Sequence, residues 1–139
     1  MARSIVEKTD SYKFSHWKQI PEQTQYCFSY YESRKDQDEI VFGGLQPILY
    51  KHLVGEVFNM QDIAIVDDMV TQHIGPGIFN RAGWESMYKK HGGRLPVRIC
   101  AVPEGMTVPS HNVLMTIENT DPEFPWLPNY LETILSHVW

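Results

Sequence analysis

The stretch NVLMTIENTDPEFPWLPNYLETILSHVW, residues 112–139, changes character halfway along. Its first eight residues are apolar or β-branched at most positions, the composition of a strand buried in a sheet. After the corner at Thr120–Pro125, residues Leu127, Tyr130, Leu131, Ile134, Leu135 and Val138 recur at the helical period and share one face. A strand followed by an amphipathic helix, in a chain with further strands and helices, points to an α+β fold. No Gly, Asn or Pro follows Ile134, so the helix over 126–139 reads as truncated, with the Trp139 indole left for a partner or for further chain.

Working back from that stretch, LPVRICAV at 95–102 alternates as a strand should, and PEG at 103–105 is a turn. QYCFSYYE at 25–32 also alternates, setting Tyr26, Phe28 and Tyr30 against Cys27, Ser29 and Tyr31, a strand with a hydrophobic face. Strands near 25–32, 96–102 and 112–118 are expected to form a mostly antiparallel sheet with helices packed on one face. Three helices come from the middle of the chain. The first, near 45–54, carries Leu45, Ile48, Leu49, His52 and Leu53 and stops at Gly55. A second is capped by Asn59, carries Ile63, Val66, Val70, His73 and Ile74, and ends at Gly75–Gly77. The third starts after Asn80, turns Trp84, Met87 and Tyr88 inward, and stops at Gly92–Gly93.

Composition narrows the function. At 139 residues the chain is one domain's worth, and 42% hydrophobic with 21% charged residues is ordinary for a globular protein. The formal charge of −5 repels polyanions, which argues against a nucleic-acid face. No apolar run approaches the ~20 residues needed to span a bilayer, so no membrane partner is expected. Cys27 and Cys100 stand far apart in apolar stretches, as buried reduced thiols of a cytoplasmic protein would.

Motifs for chemistry are sparse. The six histidines show no metal-ligand spacing, and neither cysteine lies in a nucleophile context, so spacing predicts neither a metal site nor a nucleophile within the chain. Gly43–Gly44 and Gly92–Gly93 match no phosphate-loop pattern and read as turns and caps. Arg34 follows the first strand directly, where a guanidinium could grip a phosphate bidentately, although spacing alone favours a solvated arginine. TDSYKFSHWKQIP, residues 9–21, has neither helical nor strand periodicity. Within it Tyr12, with Asp10 and Lys13 beside it, is either an anchor for an N-terminal arm or a flat face for stacking a heteroaromatic ring.

TDSYKFSHWKQIP, YYESRK, VFGGLQPIL, LPVRICAVPEGMTVP and NVLMTIENTDPEFPWLPNYLETIL, in this order and spacing, resemble the N-terminal part of the nicotinamide phosphoribosyltransferases. The resemblance spans Thr9 to Trp139. It implies the N-terminal part of a type II phosphoribosyltransferase fold, without the α/β barrel-like domain that carries the catalytic groups. It further implies a homodimer that makes nicotinamide mononucleotide and pyrophosphate from nicotinamide and phosphoribosyl pyrophosphate in NAD salvage, assisted by magnesium. By the same resemblance, Tyr12 and Asp10 reach nicotinamide in the neighbouring subunit, and Arg34 contacts phosphoribosyl pyrophosphate. The shortened loop RKDQDE could alter how Arg34 is presented. The chain alone is then expected to be inactive until a C-terminal catalytic domain is supplied. Two alternatives stay open: a non-catalytic module that binds a full-length homologue, and part of a nicotinate phosphoribosyltransferase.

Overall fold

The computed structural model describes residues 4–34, 36 and 38–138. The opening segment, without periodicity in sequence, is a pair of short 3-10 helices, Ser11–Phe14 and His16–Gln19, after a first 3-10 turn at Ile5–Glu7. Strand β1 (Phe28–Glu32) and the short β2 (Glu39–Val41) follow. Three α-helices come next, α1 (Leu45–His52), α2 (Met60–His73) and α3 (Arg81–His91). The chain then forms β3 (Val97–Ala101), β4 (Thr107–Pro109), β5 (Val113–Asn119), α4 (Leu127–Leu135) and a 3-10 turn at Ser136–Val138.

The strands make two antiparallel sheets, a three-stranded one in the order β1-β5-β3 and a ribbon of β2 with β4. The central position of β5 follows from its composition: Leu114, Met115, Ile117 and Asn119 are all buried, as only a strand flanked on both edges requires. In the main sheet Glu118 pairs with Phe28 on one side and Arg98 on the other, and Thr116 likewise with Tyr30 and Cys100, so these side chains share one face. Tyr31, Met115, Ile117 and Ile99 share the other, against which α4 packs.

That pairing corrects two expectations. The hydrophobic face of Tyr26, Phe28 and Tyr30 is open to solvent, at 60%, 63% and 55% exposure, while the Ser29 and Tyr31 side is covered. Their hydroxyls decide the orientation, because Ser29 Oγ donates to Glu132 Oε1 (2.8 Å) and Tyr31 OH donates to the Glu132 carbonyl (2.9 Å) on α4. Nor are the cysteines buried: Cys27 is half-buried and Cys100 is exposed on the open face. In α2 the buried stripe is Ile63, Val66 and Val70, and His73 is exposed.

The helix boundaries have local causes. Asn59 Oδ1 accepts from the N–H groups of Gln61 and Asp62, and Asp62 returns a bond to the Asn59 N–H, a complete capping box. Asn80 caps α3 through the Gly83 N–H at 3.1 Å. Gly92 ends α3 at φ +62°, and Gly93 must lack a side chain because a Cβ there would run into the Phe58 carbonyl oxygen. Around α4 the core is aromatic: Trp84 of α3 sits 5.2 Å from both Trp126 and Tyr130 and 4.9 Å from Phe58, all edge to face. Leu127, Leu131 and Leu135 are fully buried beside them, each stabilising the fold by roughly 2 kcal/mol. The regular part of α4 is shorter than the 126–139 expected. It gives way to a 3-10 turn at Ser136, whose Oγ donates back to the Glu132 carbonyl at 2.7 Å. Trp139 lies outside the described residues.

Candidate functional site

The 3-10 arm is held on α4 by a row of polar contacts. Thr9 Oγ1 donates to the Tyr130 carbonyl (2.9 Å), and Thr133 Oγ1 accepts from the Asp10 N–H (3.3 Å) while donating to Asp10 Oδ2 (2.8 Å). Lys13, only 6% exposed, donates from Nζ to the Asn129 carbonyl (2.9 Å) and to Glu132 Oε2 (3.0 Å). Phe14 is buried against Phe79 and Tyr130, and the Trp17 indole donates to the Ile78 carbonyl at 2.8 Å. So many anchors leave Tyr12 none of the anchoring work. Its ring is 59% exposed, with His16 beside it at 5.1 Å between centroids.

Anchoring the arm this way brings the sequence-predicted residues together. One open groove of about 1210 Å³ is lined by Asp10, Tyr12 and Lys13 of the arm, by Tyr30 to Arg34 at the end of β1, and by Glu132, Thr133 and Ser136 to Val138 of α4 and its 3-10 turn. Tyr12 and Arg34 therefore border the same space, and Asp10 lies at its edge. Arg34 is exposed and makes no side-chain hydrogen bond or ion pair among the described residues. Residues 35 and 37 of the loop that follows it lie outside the described residues.

The electrostatics of the groove centre on Glu132. Its carboxylate accepts from Lys13, from Ser29 and from Asn129 Nδ2 (3.3 Å), and its carbonyl accepts from Tyr31 and Ser136. It thus joins the arm, β1 and α4 at one point. Burial first, and then the Glu132 charge, raise the Tyr31 phenol well above its ordinary value. Partial desolvation, followed by the charge and hydrogen bond of Asp10, also raises the Tyr12 phenol. Glu132 and Thr133 were not singled out among the candidate residues. A buried lysine in the arm needs a carboxylate partner, and that requirement is the signal that could have found Glu132.

No group of three or more His, Cys, Asp or Glu among the described residues could hold a metal ion. No helix among the described residues is long and apolar enough to cross a membrane.

Comparison with known proteins gives the site its context. Residues 4–99 match the family model described as nicotinamide phosphoribosyltransferase, N-terminal domain. The chain is 47% identical over 137 residues to a nicotinamide phosphoribosyltransferase of Xanthomonas campestris pv. campestris, an alignment covering 98% of this chain and 29% of that protein. It is 34% identical to a nicotinamide phosphoribosyltransferase of Acinetobacter baylyi, covering 94% of this chain and again 29% of the relative. The chain therefore spans less than a third of the length of these relatives. Among solved structures, human nicotinic acid phosphoribosyltransferase is similar with a TM-score of 0.56 at 15% identity, over 93% of this chain and 24% of that one, which establishes a shared fold.

Proposed function

Since this chain belongs to the nicotinamide phosphoribosyltransferase family, we propose that it serves as the N-terminal portion of an enzyme joining nicotinamide to phosphoribosyl pyrophosphate, with release of pyrophosphate and formation of nicotinamide mononucleotide for NAD salvage. The observation that carries this reading is the single groove bordered by Tyr12 and Arg34. The two side chains are of complementary kinds: an exposed aromatic ring, and an exposed guanidinium with no hydrogen bond or ion pair among the described residues.

In this reading the Tyr12 ring stacks on the pyridine ring of nicotinamide, worth about 1 kcal/mol beyond burial. Asp10, fixed by Thr133, flanks that ring and orients it. The Arg34 guanidinium donates two parallel hydrogen bonds to a phosphate group, an interaction that strengthens as charge accumulates on the departing pyrophosphate. Each of these groups binds or orients. None moves a proton or forms a bond, so no catalytic residue is assigned within these 139 residues, and the bond-making groups belong to the remainder of the enzyme. Magnesium enters with the substrate phosphates, since two of the groove's three carboxylates, Asp10 and Glu132, are already bonded to Thr133, Lys13 and Ser29, and Glu32 belongs to no cluster among the described residues that could hold a metal ion. The groove is open on the Tyr12 side, which suits an arm that completes a neighbouring subunit's site in a cytoplasmic homodimer.

The test is to join these residues to the remaining part of the Xanthomonas campestris relative and follow product. The joined protein is expected to make nicotinamide mononucleotide in the presence of magnesium, and to prefer nicotinamide to nicotinate. The 139-residue chain alone is expected to make none. Turnover by the chain alone would overturn the assigned incompleteness, and turnover of nicotinate in preference would move the assignment to the acid-specific reaction.

A second reading, a non-catalytic module that docks on a full-length homologue, draws on the open face of Tyr26, Phe28 and Tyr30. It predicts co-purification with such a homologue and a changed rate, and it is abandoned if neither occurs.

A further inference from the structure

A second cavity, of about 330 Å³, lies between the arm and the start of α4, and the reaction proposed above makes no use of it. Trp17 and Ile20 border it from the arm, Trp126 from the cap of α4 and Tyr130 from α4 itself, and Cys27 from the segment leading into β1. We infer that this cavity is a binding site for a small, uncharged heteroaromatic ring that carries an N–H or O–H donor.

Size, walls and charge each contribute to that assignment. The volume, in a half-open cleft, falls at the lower end of small-molecule pockets. Two of the aromatic walls are fixed in place, because the Trp17 indole is tied to Ile78 and the Tyr130 hydroxyl donates to the Val6 carbonyl at 2.6 Å. A ring entering the cavity finds these surfaces already ordered and imposes little further ordering.

Charge selects against ions. No carboxylate lines the cavity, and its one ammonium, Lys13, is already matched by Glu132. Burial also raises the Cys27 thiol above its ordinary value, so it stays neutral. The donor requirement comes from His16, whose Nδ1 lies 3.0 Å from Asn129 Oδ1. Asn129 Nδ2 donates to Glu132, so its Oδ1 is the acceptor and His16 Nδ1 carries the proton. The other ring nitrogen, Nε2, has no hydrogen-bond partner among the described residues and is an acceptor whenever the imidazole is uncharged. The assignment stands whether or not the groove binds nicotinamide. His16 also touches Tyr12 and Lys13 borders both cavities, so a ring bound here contacts the residues that hold the groove's tyrosine.

Cys27 supplies a reporter and Cys100, exposed on the open sheet face, an internal reference. Iodoacetamide labelling of the whole chain is followed by mass spectrometry with and without indazole, a neutral ring with an N–H donor. Indazole at millimolar concentration is expected to slow Cys27 labelling by roughly threefold or more and to leave Cys100 unchanged. Benzoate, of similar size but anionic, is expected to protect neither. Thr24→Phe, which fills the cavity from its lining, should abolish the protection while the thermal midpoint is retained, and His16→Ala should weaken it. Equal Cys27 labelling with and without indazole overturns the site, and equal protection by benzoate overturns the ligand class.

Discussion

Two polar clusters flank α4 and are built from similar residues, yet one is closed and the other open. On the approach to the helix, Asp121 is 6% exposed and its carboxylate is surrounded by partners: Lys90 Nζ lies 2.7 Å from its Oδ2, His91 Nε2 lies 2.8 Å away, and the Glu123 N–H donates to Oδ1 at 3.0 Å. Ser86 and Lys90 hold Glu123 in turn. On the later part of α4, Glu132 is satisfied in the same way, but the groove it supports leaves Arg34 without a side-chain partner among the described residues and Tyr12 exposed. A cluster whose donors and acceptors are all used stabilises the fold. One that keeps a cation and an aromatic face unused is suited to a ligand. The comparison therefore predicts that stability resides in Asp121 and Glu132, and that substrate recognition resides in Tyr12 and Arg34.

The largest stability effect is expected at Glu132. Glu132→Ala leaves the buried Lys13 ammonium unpaired and frees Ser29, so urea denaturation should show a loss of roughly 3 kcal/mol. A loss below about 0.5 kcal/mol would mean that the arm is held without this carboxylate.

Asp121 comes next. Desolvation pushes its pKa up, but bonds from Lys90, the Glu123 N–H and His91 outweigh it and carry the group from its ordinary 3.8 down to about 2. Because the folded value is depressed, the stabilisation is fully present above pH 4 and is lost as pH falls toward about 2. Asp121→Asn should cost about 2 kcal/mol at neutral pH and flatten that acid limb, which denaturation at stepped pH measures. An unchanged limb would place the acid sensitivity elsewhere.

A smaller change is expected at Thr133. Thr133→Val removes both contacts to Asp10 and should cost about 1 kcal/mol, read as faster amide exchange over residues 9–13 with α4 unaffected. The smallest is Tyr12→Ala, within about 0.5 kcal/mol, since the ring is exposed and the arm has other anchors. In the joined enzyme the same change should raise the Michaelis constant for nicotinamide. Collapsed stability with an unchanged constant would return Tyr12 to an anchoring role.

Much of this architecture was legible from pattern. The stripe of Leu127, Leu131 and Leu135 located α4, and Asn59, Asn80 and Gly92 marked helix ends through caps that the structure contains. The ribbon of β2 and β4 escaped because three-residue strands are too short for alternation to register. The orientation of β1 escaped for a different reason. Alternation shows that a strand has two faces, and hydrophobicity favoured the Tyr26, Phe28 and Tyr30 face, but the hydroxyls of Ser29 and Tyr31 find acceptors on α4, a tertiary contact that no local window contains. For the site, spacing alone favoured a solvated Arg34 and left Tyr12 undecided. Resemblance singled them out, and the structure adds that they border one groove.

The central claim is that this groove holds a phosphate through Arg34. It is tested most directly by the Michaelis constant for phosphoribosyl pyrophosphate in the joined enzyme before and after Arg34→Ala. Loss of a charge-assisted bidentate contact predicts a rise of about tenfold or more at unchanged thermal stability. An unchanged Michaelis constant would contradict the account and leave Arg34 a solvated surface residue.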